Sequence, residues 1–566
     1  MEEWQLMDRH KLTLPATYET GIYILLVVLA LGFRFGMLGA TGLSDQEAIH
    51  ALQALELSRG AGTIIGGQPG YVGLTTSLFT VFNGNEFWAR FWPAVFGSVL
   101  VLVPMLFRKY LGKVPALILA GLIVIDPTMI SLSRTAASSI MGITCFFAGL
   151  GFFVNGRPIF ASLLWGAFLS AGTEIWVGLF AFFVTLLAFK SAFEASEEKY
   201  QINWKKLFIP GIVLVIGITS QLMVHPNGIS GIGTSLAEYI QSWKVNETID
   251  LGHFFAESIL LQLPLILFGM TAAITGLIRK DKLTGFFATW WGLAFIVVLI
   301  NPSRNTLLLG WATVPLLCLT SILLTKFFGT VRFENRWIGI GQIIFSFFMI
   351  ATAFFYLMNI TNSPEVDPIL FRNKLVALFL PLILLIAITG LFAWGWNSPS
   401  AKNGLLTTLS VLGMMMIFSN GWKAAGWTSP LFMQLWKTDR TVTGDHILIK
   451  ELSDLGRWTS GQANGLEIEV SGIKSPSIDW ALRNFNQVTH SEQINQNTTT
   501  EVLLTSTDIQ FGTAASYRGQ KITWSQTPDI LNMNIWSWIK WLVYRQAPLQ
   551  SQEVLLWVRN DLFKDD

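Results

Sequence analysis

Apolar runs of about 20 residues recur along most of this chain, and a run of that length is the signature of a helix that crosses a bilayer. Inside hydrocarbon no water can satisfy backbone N–H and C=O groups. A spanning segment must bond them internally, which makes it helical. About 13 such windows are readable by length and apolarity, near 21–40, 89–107, 114–130, 137–154, 159–172, 175–189, 207–224, 256–277, 284–300, 306–325, 338–358, 374–395 and 403–420. Charged residues make up only 13% of the 566 positions, against about 25% in soluble domains. Mean hydropathy is +0.50. The sequence thus predicts a mainly α, polytopic membrane helix bundle. The first run is followed by no small-residue cleavage site, so it reads as a retained span. Cys145 and Cys318 both fall inside apolar runs and supply neither a disulfide framework nor metal-ligand spacing.

Lysine and arginine gather in particular short connections: Arg108, Lys109 and Lys113; Lys190, Lys199, Lys205 and Lys206; Arg279, Lys280 and Lys282; Lys326, Arg332 and Arg336. If the windows alternate in direction, all four clusters share one face, and the bias of basic loops makes that face cytoplasmic. Arg9 and Lys11 place the N-terminus there too. The opposite, external face receives the loop 41–88, the turn 126–136, the turn at Glu174, the loops 225–255 and 359–373, the turn 301–305 and the tail. Trp88, Trp92, Trp176, Trp243, Trp311 and Trp422 lie near window ends, as an interfacial aromatic belt requires. This topology is that of a multi-pass plasma-membrane protein.

The chain divides into a membrane domain, 1–420, and an external domain, 421–566. The tail reads as helix at 444–456, strand at 466–470, helix at 477–485, strands at 501–506 and 521–525, helix at 535–545 and strand at 553–559, with 486–500 a polar loop. Helices alternating with strands predict a small α/β domain. Its tryptophans, such as Trp480, Trp524 and Trp541, suit either a packed core or stacking on sugar rings.

The polar groups at the external window ends are Asp45, Glu47, His50, Arg90, Asp126, Arg134, Glu174, His225 and Arg304. Buried or interfacial charges of this kind are costly and usually functional. In "SDQEAIH", Ser44 and Glu47 form a capping box, and Asp45 suits the first turn of the helix that follows. Asp126 precedes a proline, where it also suits a turn cap. His225 precedes Pro226-Asn227-Gly228, a turn signal. No HExxH, Walker or glycine-rich phosphate motif occurs. Nucleic-acid binding has no support, because the basic residues are accounted for by topology.

The first window ending in "RFGMLG" and followed by "LSDQEAIHALQAL" resembles the first external loop of GT-C membrane glycosyltransferases. That class includes protein O-mannosyltransferases, aminoarabinose transferases acting on lipid A, and bacterial family-39-like enzymes. "ARFWPAVFGSVLVLVPMLFRKYLG" is similar to their second span, "DPTMISLSRTA" to the turn after their third, and "NPSRNTLLLGWATVPLL" to a later Pro-x-Arg turn. "WALRNF" in the tail resembles a motif in the external domains of some relatives. The resemblance implies a polyprenyl-phosphate-linked sugar as donor and a lipid, glycan or protein acceptor at the external face. It makes Asp45 the base, with Glu47 as a secondary carboxylate. Arg134 and Arg304 become the clamps on the leaving phosphate, and Arg90, Asp126, Glu174 and His225 complete the candidate substrate-binding set. The sequence departs from the family where Gln46 separates Asp45 from Glu47, and where Ala136-Ala137-Ser138-Ser139 carries no acid. Paired external carboxylates are compatible with a divalent metal ion, and metal-free catalysis is equally compatible. Two other readings stand beside the enzyme: a transporter or flippase-associated protein for a lipid-linked glycan, and a glycolipid-binding relative without turnover.

Overall fold

The computed structural model describes residues 16–62, 64–190, 203–245, 251–331, 333–362, 368–427, 440–493, 496–506, 508–509, 511, 516–529, 533–544 and 548–563. Arg9, Lys11, Lys199 and Arg332, and the side chain of His253, lie outside the described residues. The membrane part is a succession of helices: α1 (Ala16–Phe35), α2 (Asp45–Ser58), α3 (Pro69–Phe82), α4 (Glu86–Leu100), α5 (Lys113–Ile125), α6 (Pro127–Ser133), α7 (Ser139–Val154), α8 (Pro158–Leu169) and α9 (Ile175–Ala188). There follow α10 (Trp204–Thr219), α11 (Gly231–Ser242), α12 (Leu251–Leu261), α13 (Leu263–Ile278), α14 (Lys282–Ile300), α15 (Leu309–Thr330), α16 (Arg336–Asn362), α17 (Pro368–Phe392) and α18 (Ser398–Ala424).

Each apolar window of the sequence is largely occupied by helix, but three windows are broken, the one at 89–107 by a turn at Val101–Leu102. Asp126 and Pro127 bend α5 against α6 by 60°, since a proline ring cannot continue the preceding helix's bonding. The window at 256–277 is divided at Gln262 into α12 and α13. Among the described residues six helices are long and apolar enough to cross a membrane, or seven if the bent pair counts as one span. The expected count of about 13 is therefore not what helix length gives, because α7, α8, α9 and α13 are short apolar helices.

Aromatic packing organises the centre. Trp311, expected in an interfacial belt, has no exposed surface and sits among Phe146, Phe147 and Phe168. A Cβ on Gly178 would lie 2.2 Å from its indole ring. Gly178→Ala is accordingly expected to destabilise the protein by about 1–3 kcal/mol through overpacking, read as a lower melting temperature in detergent; an unchanged melting temperature would contradict this packing.

Basic residues of the short connections make ion pairs with acids at helix ends. Glu19 near the start of α1 is approached by Arg108 at 3.6 Å and Lys113 at 3.7 Å. Lys326 near the end of α15 pairs with Asp281 before α14 at 2.8 Å.

The tail contains a sheet of β1 (Thr441–Val442), β2 (Glu467–Ser471), β3 (Gln487–Ser491), β4 (Val502–Thr505), β5 (Tyr517–Pro528) and β6 (Leu549–Arg559), in the order β1-β5-β6-β4-β2-β3. β2 is parallel to β3 and β4, and the other pairs are antiparallel. The tail helices are α19 (Asp445–Ser460), α20 (Pro476–Leu482) and α21 (Ile535–Tyr544). α20 makes the crossover that parallel strands need. Leu448, Leu452, Ile468, Ile478, Leu504 and Trp524 fill a core of their own. The stretch expected as a polar loop, 486–500, contains β3. It is an edge strand with both faces half-wet, so it shows no apolar alternation. α21 leaves the sheet for the helix bundle: Trp541 joins the central apolar cluster, and the Tyr544 hydroxyl donates to the carbonyl of Met358 at 2.9 Å.

Candidate functional site

A cavity of about 210 Å³ opens at the helix ends away from the basic clusters. Its walls come from the start of α2, Gln68 before α3, α6 with Thr135–Ala137, Thr173–Glu174, Ser258 and Gln262, and 305–309 before α15. The local folding follows from caps and breaks. Ser44 accepts from the Glu47 N–H at 3.4 Å while the Glu47 carboxylate accepts from the Ser44 N–H at 3.1 Å. This is the capping box read in the sequence, and it fixes where α2 begins. Gly172 has φ of +114°, a conformation suited to glycine, and a Cβ there would lie 2.7 Å from the Gly67 carbonyl. That close approach brings Gln68 beside Glu174.

Glu174 is the least partnered carboxylate on the cavity. One oxygen accepts from Gln68 Nε2 at 3.3 Å, and Gln68 Oε1 in turn accepts from the Ser138 N–H at 3.0 Å. The other oxygen is buried with no hydrogen-bond partner among the described residues. Burial pushes the carboxyl up to about 7, opposed by a backbone hydrogen bond and reinforced by the charge of Glu238. Such a group exchanges protons near neutrality.

Glu47 also lines the cavity but is saturated. Arg90 grips it bidentately, Nε to Oε1 and Nη2 to Oε2, both at 2.9 Å, and the Ala136 N–H donates to Oε1 at 2.9 Å. Arg90 further donates to the carbonyls of Leu38, Thr41 and Gly42. The pair pins the loop between α1 and α2 to α4 and to the turn after α6. A carboxylate held this way has no lone pair left for a metal ion or an acceptor. Among the described residues no three His, Cys, Asp or Glu side chains group to hold a metal ion.

The remaining sequence candidates lie off the cavity wall. Asp45, expected as the base, accepts at Oδ1 from the Ser475 hydroxyl at 2.6 Å and the Ser477 N–H at 3.0 Å. It caps α20 from a distant part of the chain and so docks the tail. The same face is fastened by Glu86, which takes Trp480 Nε1 at 2.9 Å and Arg483 at 3.1 Å. Arg134, expected on a phosphate, donates to the carbonyls of Phe33, Arg34, Gly36 and Met37 and thereby caps the end of α1. Arg304 is buried with Nε on the carbonyl of Leu299 at 3.1 Å, one position before the lining residue Asn305. Asp126 caps α6 through the Met129 N–H at 2.9 Å. His225 stands before the short helical turn Pro226–Ser230. The structure thus places Glu47 and Glu174 on the cavity, with Arg90 behind Glu47, and leaves the other five elsewhere.

Neutral polar residues also line the cavity, and of these His50 is conspicuous in the sequence. Gln262 sits at the break between α12 and α13 and donates to Thr128 at 2.6 Å and Thr313 at 2.8 Å. His50 has its Nδ1 buried without a partner among the described residues, and burial pushes its pKa down to about 4 against a raising contact with Gln53. The ring is uncharged at neutral pH. Gln68, Ser258 and Thr306 belong to no motif, so only the signal of a polar residue beside an apolar run was available. Among the described residues no lysine or arginine lines the cavity.

If Asp45 docks the tail, Asp45→Ala is expected to reduce any activity less than tenfold and to speed proteolysis of the tail. A total loss of activity in a protein with an undisturbed tail would contradict that role.

No known family's sequence pattern matches this chain, and no curated protein matches it. Solved structures do. The crystal structure of ArnT from Cupriavidus metallidurans bound to undecaprenyl phosphate superposes with a TM-score of 0.53 at 13% identity, covering 97% of this chain and 100% of that one. The apo structure of the same protein gives 0.51 at 12% identity, covering 97% and 99%. The fold is therefore that of ArnT, in agreement with the resemblance read in the sequence. At such identity the likeness speaks for the fold, and the chemistry rests on the residues of the cavity.

Proposed function

We propose that this chain is a membrane glycosyltransferase that moves a sugar from a polyprenyl-phosphate donor to a lipid, glycan or protein acceptor at the external face, with inversion. One observation carries the reading: a buried, half-unpartnered carboxylate, Glu174, in a polar cavity at the loop-bearing end of an ArnT-like membrane fold. Basic helix ends face the cytoplasm in this account, and the cavity and tail face outward. Glu174 takes the proton of the acceptor hydroxyl as its oxygen bonds to the anomeric carbon. The bond from that carbon to the phosphate oxygen breaks with its electron pair, and lipid phosphate leaves. Gln68 orients the carboxylate. Neutral His50 is placed to bond a sugar hydroxyl or a phosphate oxygen, and the Gln262 carbonyl oxygen to accept from a sugar hydroxyl.

A second reading is supported by the absence of a lysine or arginine among the described lining residues. Expulsion of a phosphate is hard without positive charge beside it, whereas binding a glycolipid is not. A glycolipid-binding relative without turnover would keep this cavity. Purified protein in bilayers, given polyprenyl-phosphate sugars and a membrane lipid extract, separates the two. The transferase yields a glycosylated acceptor of inverted anomeric configuration and an equal amount of free lipid phosphate. Donor bound but never consumed would sink the transferase and leave the binder.

A further inference from the structure

A groove of about 370 Å³ runs along the outside of α1, at the end of the bundle remote from the cavity. Ile24, Val27, Val28, Leu102 and Met105 make it apolar along its length. Its mouth is charged. Glu19 is buried between Arg108 and Lys113, at 3.6 and 3.7 Å. Those separations exceed the 2.7–2.9 Å or so of a charge-assisted hydrogen bond, and both cations keep about half of their side-chain surface in the open. One carboxylate and two cations leave a local charge of about +1. Tyr23 lies one helical turn below Glu19 on the same face. It is 4% exposed, it lines the groove, and its hydroxyl is buried with no hydrogen-bond partner among the described residues.

We propose that this groove is a binding site for an anionic phospholipid of the leaflet that meets the basic helix ends. The phosphodiester bridges Arg108 and Lys113, an acyl chain lies against Val27, Val28 and Met105, and the Tyr23 hydroxyl donates to an ester carbonyl. Each part answers a separate observation. The net positive mouth selects an anion over a zwitterion. The apolar floor selects a lipid over free phosphate. Tyr23, which carries the orphaned hydroxyl, stands about 6 Å further along the helix axis than Glu19, on the side where the glycerol esters follow the phosphate. Lipid in this place would tie the start of α1 to the turn after α4, far from the cavity chemistry.

Native mass spectrometry of the purified full chain, with phosphatidylglycerol or phosphatidylcholine added to the micelles, tests the site. The wild type should retain phosphatidylglycerol at collision energies that strip phosphatidylcholine. Arg108→Gln and Lys113→Gln should each weaken retention roughly fivefold, and Tyr23→Phe should weaken it less. Val28→Trp, which fills the groove on a lipid-facing position, should abolish it while leaving the melting temperature without lipid unchanged. Equal retention of both lipids, or undiminished phosphatidylglycerol binding by a folded Val28→Trp protein, would overturn the proposal.

Discussion

Glu174→Gln is expected to lower turnover by about 100- to 10,000-fold, the usual contribution of a positioned general base, and at the same time to make the protein more stable at pH 8. The two effects have one cause. The unfolded chain ionises this carboxyl near its ordinary 4.5, while the folded chain holds the proton up to about 7. Between those values the unfolded state binds fewer protons, so stability falls as pH rises, by roughly 3 kcal/mol in all. Above pH 7 the native protein carries a buried, half-unpartnered charge. Glutamine carries none, so the melting temperature of the variant should exceed that of the wild type at pH 8 by a few degrees. The gap should close toward pH 4.5. Activity has the opposite slope, because the base works only when ionised: wild-type kcat/KM should rise through pH 7 and level off. Thermal unfolding and rate profiles over pH 5–9 check both arms. A variant less stable at pH 8 would mean that the carboxylate is held by contacts the geometry does not show.

Arg90→Ala should produce the largest loss of stability. It leaves the Glu47 carboxylate buried without its cationic partner and strips donors from the carbonyls of Leu38, Thr41 and Gly42. Breaking one side of a buried ion pair costs about 3–5 kcal/mol. Glu47→Gln alone should cost less, and the double variant should be less destabilised than the sum of the singles, because the second change removes the stranded charge. Additive losses in a melting-temperature cycle would show that the pair is not the link between the α1–α2 loop and α4.

Much of the scaffold was legible because its determinants are local. Apolar windows located the helices, and Ser44 with Glu47 announced the start of α2. Asp126 before Pro127 marked a bend. The site was less legible because its determinants are distant in sequence. Nothing near Asp45 shows that Ser475 and Ser477 will claim its carboxylate, and nothing near Arg134 shows that it will cap α1. Charge made these residues conspicuous, but a buried charge must be satisfied first, and the nearest backbone carbonyls and hydroxyls did so. Glu174 stood out less, yet Gly172 and Gln68 leave one of its oxygens unclaimed. The cavity wall is otherwise made of glutamine, serine, threonine and asparagine, whose roles depend on neighbours rather than on spacing.

The most direct test compares sugar transfer from a polyprenyl-phosphate donor by the purified wild type and by Glu174→Gln, with donor binding measured in parallel. The wild type is expected to transfer sugar, and Glu174→Gln to lose transfer almost completely while still binding donor. Undiminished transfer by Glu174→Gln would contradict the assignment of the base.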